Sequence, residues 1–177
     1  NLTIKAAVGL YAFSEIAKLN GESGEKYLEA AKDFAKFVED YSKDMKHMPA
    51  TFDLDDDTFS LKYNMAFDLW FGSQLFQPKT YQKEADCYEN HLERYGVRLY
   101  SDNVAVKTDW LAWVACFSKD EEYRNKLYST VTCAMRETPD RIPFSDWYDI
   151  TNASPYQTRF RNRTVQGGMF MPLLLGK

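Results

Sequence analysis

The residues best suited to chemistry in this chain are carboxylates set among aromatic rings. "PFSDWYDI", residues 143–150, places Asp146 and Asp149 around Trp147 and Tyr148, behind a proline. Further on, "RFRNRTVQGG" puts Arg159, Arg161 and Arg163 at every second position. A third stretch, "VKTDWLAW", sets Lys107 and Asp109 beside Trp110. A carboxyl group whose pKa is set by its neighbours can act as a general acid or base. An arginine can hold a substrate carboxylate through two parallel hydrogen bonds, and aromatic faces can hold sugar or apolar surface. The candidate catalytic residues are therefore Asp109, Asp146 and Asp149. The candidate substrate-binding residues are Lys62, Tyr63, Lys107, Trp110, Trp147, Tyr148, Arg159, Arg161 and Arg163.

Each has a structural alternative. If residues 146–149 form a helical turn, Asp146 and Asp149 share a face; if they are extended, the two point to opposite sides. An extended "RFRNR" would put its three arginines on one face, where they can pin the acidic loop instead of meeting substrate. Thr108 or Asp109 can cap a helix, and Lys62 can pair with Asp109 or meet an anionic substrate. In "DLDDDTF", Asp53, Asp55 and Asp57 match the start of a calcium loop, but Thr58 stands where the turn glycine belongs and Asn64 where the bidentate acid belongs. Helix capping accounts for that run, and no metal site is expected.

Other chemistries find little footing. His47 and His91 are the only histidines, so a Ser-His-Asp or Cys-His site within this chain is not expected. No phosphate-binding, zinc or dinucleotide motif is present, and no cofactor is expected. Cys87, Cys116 and Cys133 are odd in number and lack metal spacing, as inert thiols would. A net charge of -4 over 177 residues gives no footprint for nucleic acid. No apolar run reaches the roughly 20 residues of a membrane helix.

The elements that must position these groups are helices of two kinds. Residues 2–19 are apolar or small on nearly every side, which predicts a helix buried all round. Over 25–41, Tyr27, Ala31, Phe34, Val38 and Tyr41 make one stripe on a half-exposed helix. The contrast repeats, with apolar 60–76 before amphipathic 81–95, apolar 108–118 before amphipathic 121–136, and a last apolar helix over 164–175. The apolar helices recur about every fifty residues, the mark of a hairpin repeat. The expected fold is all-α: inner apolar and outer amphipathic helices in about three and a half hairpins, part of an α/α toroid, with an α-solenoid as the alternative. Links from inner to outer helices are short (20–24, 77–80, 119–121). Links from outer to inner are long (43–59, 96–107, 137–163) and must gather on one face, where function is expected. The chain reads as one domain, 1–177, and its opening, "NLTIKAAVGLYAF", as part of a longer protein.

"NLTIKAAVGLYAFSEIAKLNG", "SLKYNMAFDLWFGSQLF", "YGVRLYSDNVAVKTDWLAWVA" and "PFSDWYDI…FRNRTVQGGMFMPLL" together resemble the C-terminal part of the glutaminase A family of fungi and bacteria. The most specific pieces are "KTDW" at 107–110, "PFSDWYD" at 143–149 and R-x-R-x-V-x-G-G from Arg161 to Gly168. "ITNASPYQTRF" departs from the short Thr-Gly-rich turn of the family pattern. The resemblance implies a six-helical-hairpin domain similar to glycosidase toroids, accompanied by other domains of the same polypeptide in a secreted or periplasmic protein. It also implies hydrolysis of the side-chain amide of glutamine to glutamate and ammonia. A carbohydrate-active toroid, or a non-catalytic module of a larger exported protein, is the alternative. The expected partner is then a small molecule, glutamine or a sugar.

Overall fold

The structure, a computed structural model, describes residues 1–140, 143–156, 161 and 163–175. Helix α1 (Leu2–Leu19) pairs with α2 (Glu25–Ser42), and a 3-10 turn at Tyr63–Met65 runs into α3 (Ala66–Phe71), followed by α4 (Pro78–Asn90). Strand β1 (Ala105–Lys107) leads directly into α5 (Thr108–Val114), which ends in a 3-10 turn at Ala115–Phe117 and is followed by α6 (Glu121–Glu137). Strand β2 (Trp147–Asp149) and a C-terminal 3-10 helix (Thr164–Leu175) complete the order. Among the described residues no helix is long and apolar enough to cross a membrane.

The hairpin order follows the hydrophobic pattern. The 3-10 turn at Tyr63–Met65 touches both α1 and α5, and α5 packs on the C-terminal 3-10 helix, so the inner elements are neighbours in sequence order. Helices α2, α4 and α6 bury one stripe each, through Ala31, Ala35 and Val38, through Tyr81, Ala85 and Tyr88, and through Tyr123, Leu127 and Val131. The expected inner helices are shorter than their apolar runs. Gly72 adopts φ +64° and closes α3 in a left-handed cap, a conformation glycine takes without strain. Two expectations need correction. Helix α1 is not buried all round: it buries Ile4, Ala7 and Val8 but exposes Leu2, Phe13, Ile16 and Leu19. Residues 164–175 form a 3-10 rather than an α-helix, with Pro172 inside it and Phe170, Leu173 and Leu174 exposed.

The three long links are stitched together at one end of the array. Leu61 N donates to Leu99 O at 3.0 Å and Ser101 N to Phe59 O at 2.9 Å, joining the first link to the second. Antiparallel pairing of β1 with β2 joins the second to the third, with Ala105 opposite Asp149 and Lys107 opposite Trp147. This small sheet is absent from the helical pattern of the sequence, because three-residue strands are too short to show a period of two.

A buried carboxylate on α4 holds the first link from beneath. Glu84 is inaccessible; it accepts from Met48 N at 2.7 Å and from Tyr88 Oη at 2.8 Å. Tyr88 Oη in turn accepts from Lys62 N at 2.8 Å. The Lys62 ammonium donates to Pro49 O and Ser60 Oγ, both at 2.8 Å. Burial pushes the Lys62 pKa down, and Glu84 opposes that shift. Glu84→Ala is expected to cost about 3 kcal/mol in denaturant-unfolding free energy, because it leaves the buried Met48 amide and Tyr88 hydroxyl without their acceptor and removes the charge that offsets the buried Lys62 ammonium. A loss below about 1 kcal/mol would show that the network does not hold the link.

Candidate active site

Lys107 is the last residue of β1, and its backbone is extended (φ -120°, ψ 118°), so α5 starts immediately after it. No side chain caps α5: Thr108 N donates instead to Asp146 O at 3.1 Å, which replaces the capping role expected of Thr108 or Asp109. That single backbone bond brings the third link against the first turn of α5. As a result Asp146, distant in sequence, meets Lys107 and Asp109 in the interior.

They meet as two carboxylates on one ammonium. Lys107 Nζ donates to Asp146 Oδ2 and stands 3.4 Å from Asp109 Oδ1. The Arg163 guanidinium approaches Asp146 from the other side, with Nε 3.7 Å from Oδ1. Lys107 is 5% exposed, Asp109 4% and Asp146 0%. Asp109 Oδ1 and Asp146 Oδ1 are both buried without a hydrogen bond among the described residues. Buried acceptors are ordinarily satisfied by protein or by water. Burial pushes the Asp109 carboxyl above the ordinary carboxylate range, against the pull of Lys107.

Beside this group lies a cavity of about 440 Å³ lined by Lys107, Asp109, Trp110, Trp113, Trp147 and Arg163, with Leu99, Val165, Gly168 and Met171. Trp110 stacks on Tyr63 at 3.9 Å between ring centres and 6° between planes, and the Lys107 ammonium lies 5.3 Å from the centre of the Trp110 ring. Trp147 stacks on Tyr156 at 5.0 Å. Trp113 meets the edges of Phe67 and Trp70 and donates its Nε1–H to Gly168 O at 3.0 Å. The cavity is thus an aromatic chamber whose lining includes Asp109 but not Asp146. A larger cavity of about 520 Å³ lies between α2 and α4. Of its lysines, Lys83 donates to the carbonyls of Ser42, Lys43 and Met45 at the end of α2, and Lys36 pairs with Asp40. We place the site at the smaller cavity because the buried acid-base group lies there.

The remaining sequence candidates fall elsewhere. Residues 147–149 are extended, so the shared helical face for Asp146 and Asp149 does not form. Asp149 Oδ1 accepts from Thr151 N at 2.7 Å and Thr151 Oγ1 at 2.6 Å, a local turn outside the cavity lining. Tyr148 is inaccessible and donates to Tyr95 O at 2.8 Å. Lys62 does not pair with Asp109, since its ammonium is held by the first link. Arg161 pairs with Asp140 and not with Asp146 or Asp149, so the described arginines do not act as one ladder. Arg159 lies outside the described residues. Of the D-x-D-x-D run, Asp53 accepts from Thr51 Oγ1, and neighbouring Asp56 accepts from Lys46 N at 2.7 Å. No group of three potential metal ligands occurs among the described residues. Cys87 and Cys116 are buried, and burial raises the Cys87 thiol to about 12.

Five lining residues, Leu99, Trp113, Val165, Gly168 and Met171, lie outside the candidates named from the sequence. Trp113 stands three positions after Trp110 on one helix, a spacing that signals a shared face. Leu99, Val165 and Met171 carry no local signal, because tertiary packing alone turns them inward.

A hairpin array with a buried group of two carboxylates and an ammonium at the end where its long links converge defines an all-α helical-hairpin domain. The chain belongs to the glutaminase A six helical-hairpin domain family, whose model matches residues 1–173. It is 26% identical over 186 residues to glutaminase A of Aspergillus oryzae, covering 99% of this chain and 26% of that protein. It is also 26% identical over 209 residues to a probable glutaminase of Arthroderma benhamiae, covering 100% of this chain and 24% of that protein. The chain therefore spans about a quarter of the length of these curated relatives. No solved structure matches it.

The electrostatics make a pH-dependent prediction. A carboxyl raised in the folded state stabilises the fold fully below its unfolded pKa of about 3.9, and that contribution is lost as pH rises through the folded value. Lys107→Met removes the ammonium that restrains the rise at Asp109. Its unfolding free energy should then fall with pH more steeply than that of the wild type, and over a wider window above pH about 4, by up to about 1.4 kcal/mol per pH unit for one retained proton. Urea titrations across pH test this. Parallel wild-type and variant curves would show that Lys107 does not restrain Asp109.

Proposed function

We propose that this domain carries the acid-base site of a glutaminase-related hydrolase, which releases ammonia from the side-chain amide of glutamine. The single observation behind this reading is Asp109: a buried carboxyl that lines the cavity wall, held beside a buried ammonium that a second carboxylate anchors. As water attacks the amide carbon, Asp109 takes its proton. The same proton then passes to the departing nitrogen, the C–N bond breaks, and glutamate and ammonia leave. A carboxyl raised by burial is a stronger base than an ordinary one and so suits this shuttle. The Lys107 ammonium lies where it can offset negative charge developing on the carbonyl oxygen, and Arg163 at the cavity offers a partner for the α-carboxylate.

A second reading, a carbohydrate-active site, draws on Trp110, Trp113 and Trp147 in the lining, since aromatic faces suit sugar rings. A two-carboxylate glycosidase mechanism needs both acids at the substrate, and Asp146 has no accessible surface. Amide hydrolysis, which one carboxyl can serve, is therefore favoured.

Turnover of L-glutamine by the full chain, read as ammonia released, tests the choice against oligosaccharide hydrolysis read as reducing ends. Asp109→Asn is expected to lower glutaminase turnover by about 100- to 10,000-fold, the range for losing a general acid-base group. Wild-type turnover in that variant, or hydrolysis confined to oligosaccharides, would overturn the proposal.

A further inference from the structure

Two adjacent glycines, Gly167 and Gly168, lie within the C-terminal 3-10 helix, and their surroundings are opposite. A methyl group at Gly167 would meet nothing within 4 Å, and the residue is exposed. A methyl group at Gly168 would stand 2.9 Å from Asp109 Cβ and 3.2 Å from Trp113 Nε1. The closer of these is tighter than carbon atoms tolerate, so either this strap or the first turn of α5 would have to move. Gly168 needs no left-handed backbone, since its φ is not positive. Its lack of a side chain therefore answers to close approach alone.

The strap is seated by side chains that reach its backbone. Trp113 Nε1 donates to Gly168 O at 3.0 Å and Tyr128 Oη to Met169 O at 3.0 Å, while Gln166 Nε2 reaches back to Phe144 O at 2.6 Å. Two of the three bonds fall at Gly168 and its neighbour, directly over Asp109. Elsewhere the strap is loosely held, with Phe170, Leu173 and Leu174 exposed, and twelve residues of 3-10 helix is long for that geometry.

We propose that Gly168 is a positioning residue for Asp109: it lets the strap lie on the Asp109 Cβ, and the Trp113–Gly168 hydrogen bond locks it there, so that the carboxyl is held in one place and shielded from water. The proposal rests on Asp109 as the reacting acid, and it adds that a backbone contact from another element sets that acid's position and hydration. Displacement of a reacting group by about 1 Å costs on the order of 100-fold in rate.

The test compares Gly168→Ala, Gly167→Ala and Trp113→Phe in the full chain, with Asp109→Asn as the reference for the site itself. Gly168→Ala is expected to lower kcat by about 10- to 100-fold with KM changed by less than about threefold. The acid limb of its pH profile should move to lower pH as Asp109 regains water. Its Trp113 indole N–H, followed by 15N NMR, should lose protection from solvent exchange. Gly167→Ala should leave kcat, the acid limb and indole protection unchanged. Trp113→Phe should move the acid limb in the same direction by a smaller step, and it carries the test if Gly168→Ala does not fold.

If Asp109→Asn loses turnover while Gly168→Ala keeps the wild-type rate, acid limb and indole protection, the positioning role is overturned and the site stands. An equal loss in both glycine variants, or an unmoved acid limb in Trp113→Phe, overturns it as well. If Asp109→Asn keeps full turnover, the site reading itself falls. Indole protection then decides whether Gly168 seats the strap: loss of protection supports the contact, and a protected indole overturns it.

Discussion

The architecture around the cavity depends on one ammonium placed between two carboxylates out of reach of water. Charges of this kind lose several kcal/mol of hydration when buried. They persist only where partners are brought close, and here the partners come from two segments. Lys107 sits at the junction of β1 and α5, Asp109 in the first turn of α5, and Asp146 just before β2. The β1–β2 register and the Thr108–Asp146 backbone bond bring those segments into contact. The sheet is small, but the electrostatics require it. Without it Lys107 would face one acid, and Asp146 would be a buried charge with only Arg163 nearby.

The rest of the fold supplies rigidity and exclusion of water. The long links meet at one end because hairpins alternate direction, and their mutual hydrogen bonds turn three loops into one surface. Glu84 and Lys62 anchor the first link from below, while the C-terminal 3-10 helix covers Asp109 from above. The aromatic walls do more than fill space. Stacking Trp110 on Tyr63 and setting it near Lys107 leaves the ammonium few places to go and keeps the local dielectric low.

Much of the helical plan was legible, and the reasons are local. Helices α2 and α6 show clean stripes such as Ala31, Val38, Leu127 and Val131, and α6 begins at Asp120, whose side chain accepts from Glu122 N at 2.8 Å. Helix α1 misled because apolar composition marks residues fit for burial, not those that find a partner in this chain. Asp109 beside Trp110 was legible as a candidate, an acid and a ring at the start of an apolar helix, and both line the cavity. Its partnership with Asp146 was not, since it depends on a register between two three-residue strands. The arginine ladder failed for a related reason: alternation describes a strand's two faces, and Arg161 and Arg163 meet different acids, Asp140 and Asp146. Asp149 and Tyr148 carry the right chemistry, but short-range bonds to Thr151 and Tyr95 take up their polar atoms.

Burial raises the proton affinity of the Asp109 carboxyl, and Lys107 moderates the rise. Selective 13C labelling of the aspartate side chains, with Asp109 assigned by substitution, would follow its ionisation in the folded chain directly. The account predicts a midpoint clearly above the ordinary aspartate value of about 3.9, and a resonance that also responds when Lys107 is replaced. A midpoint at or below that value, insensitive to Lys107, would contradict it.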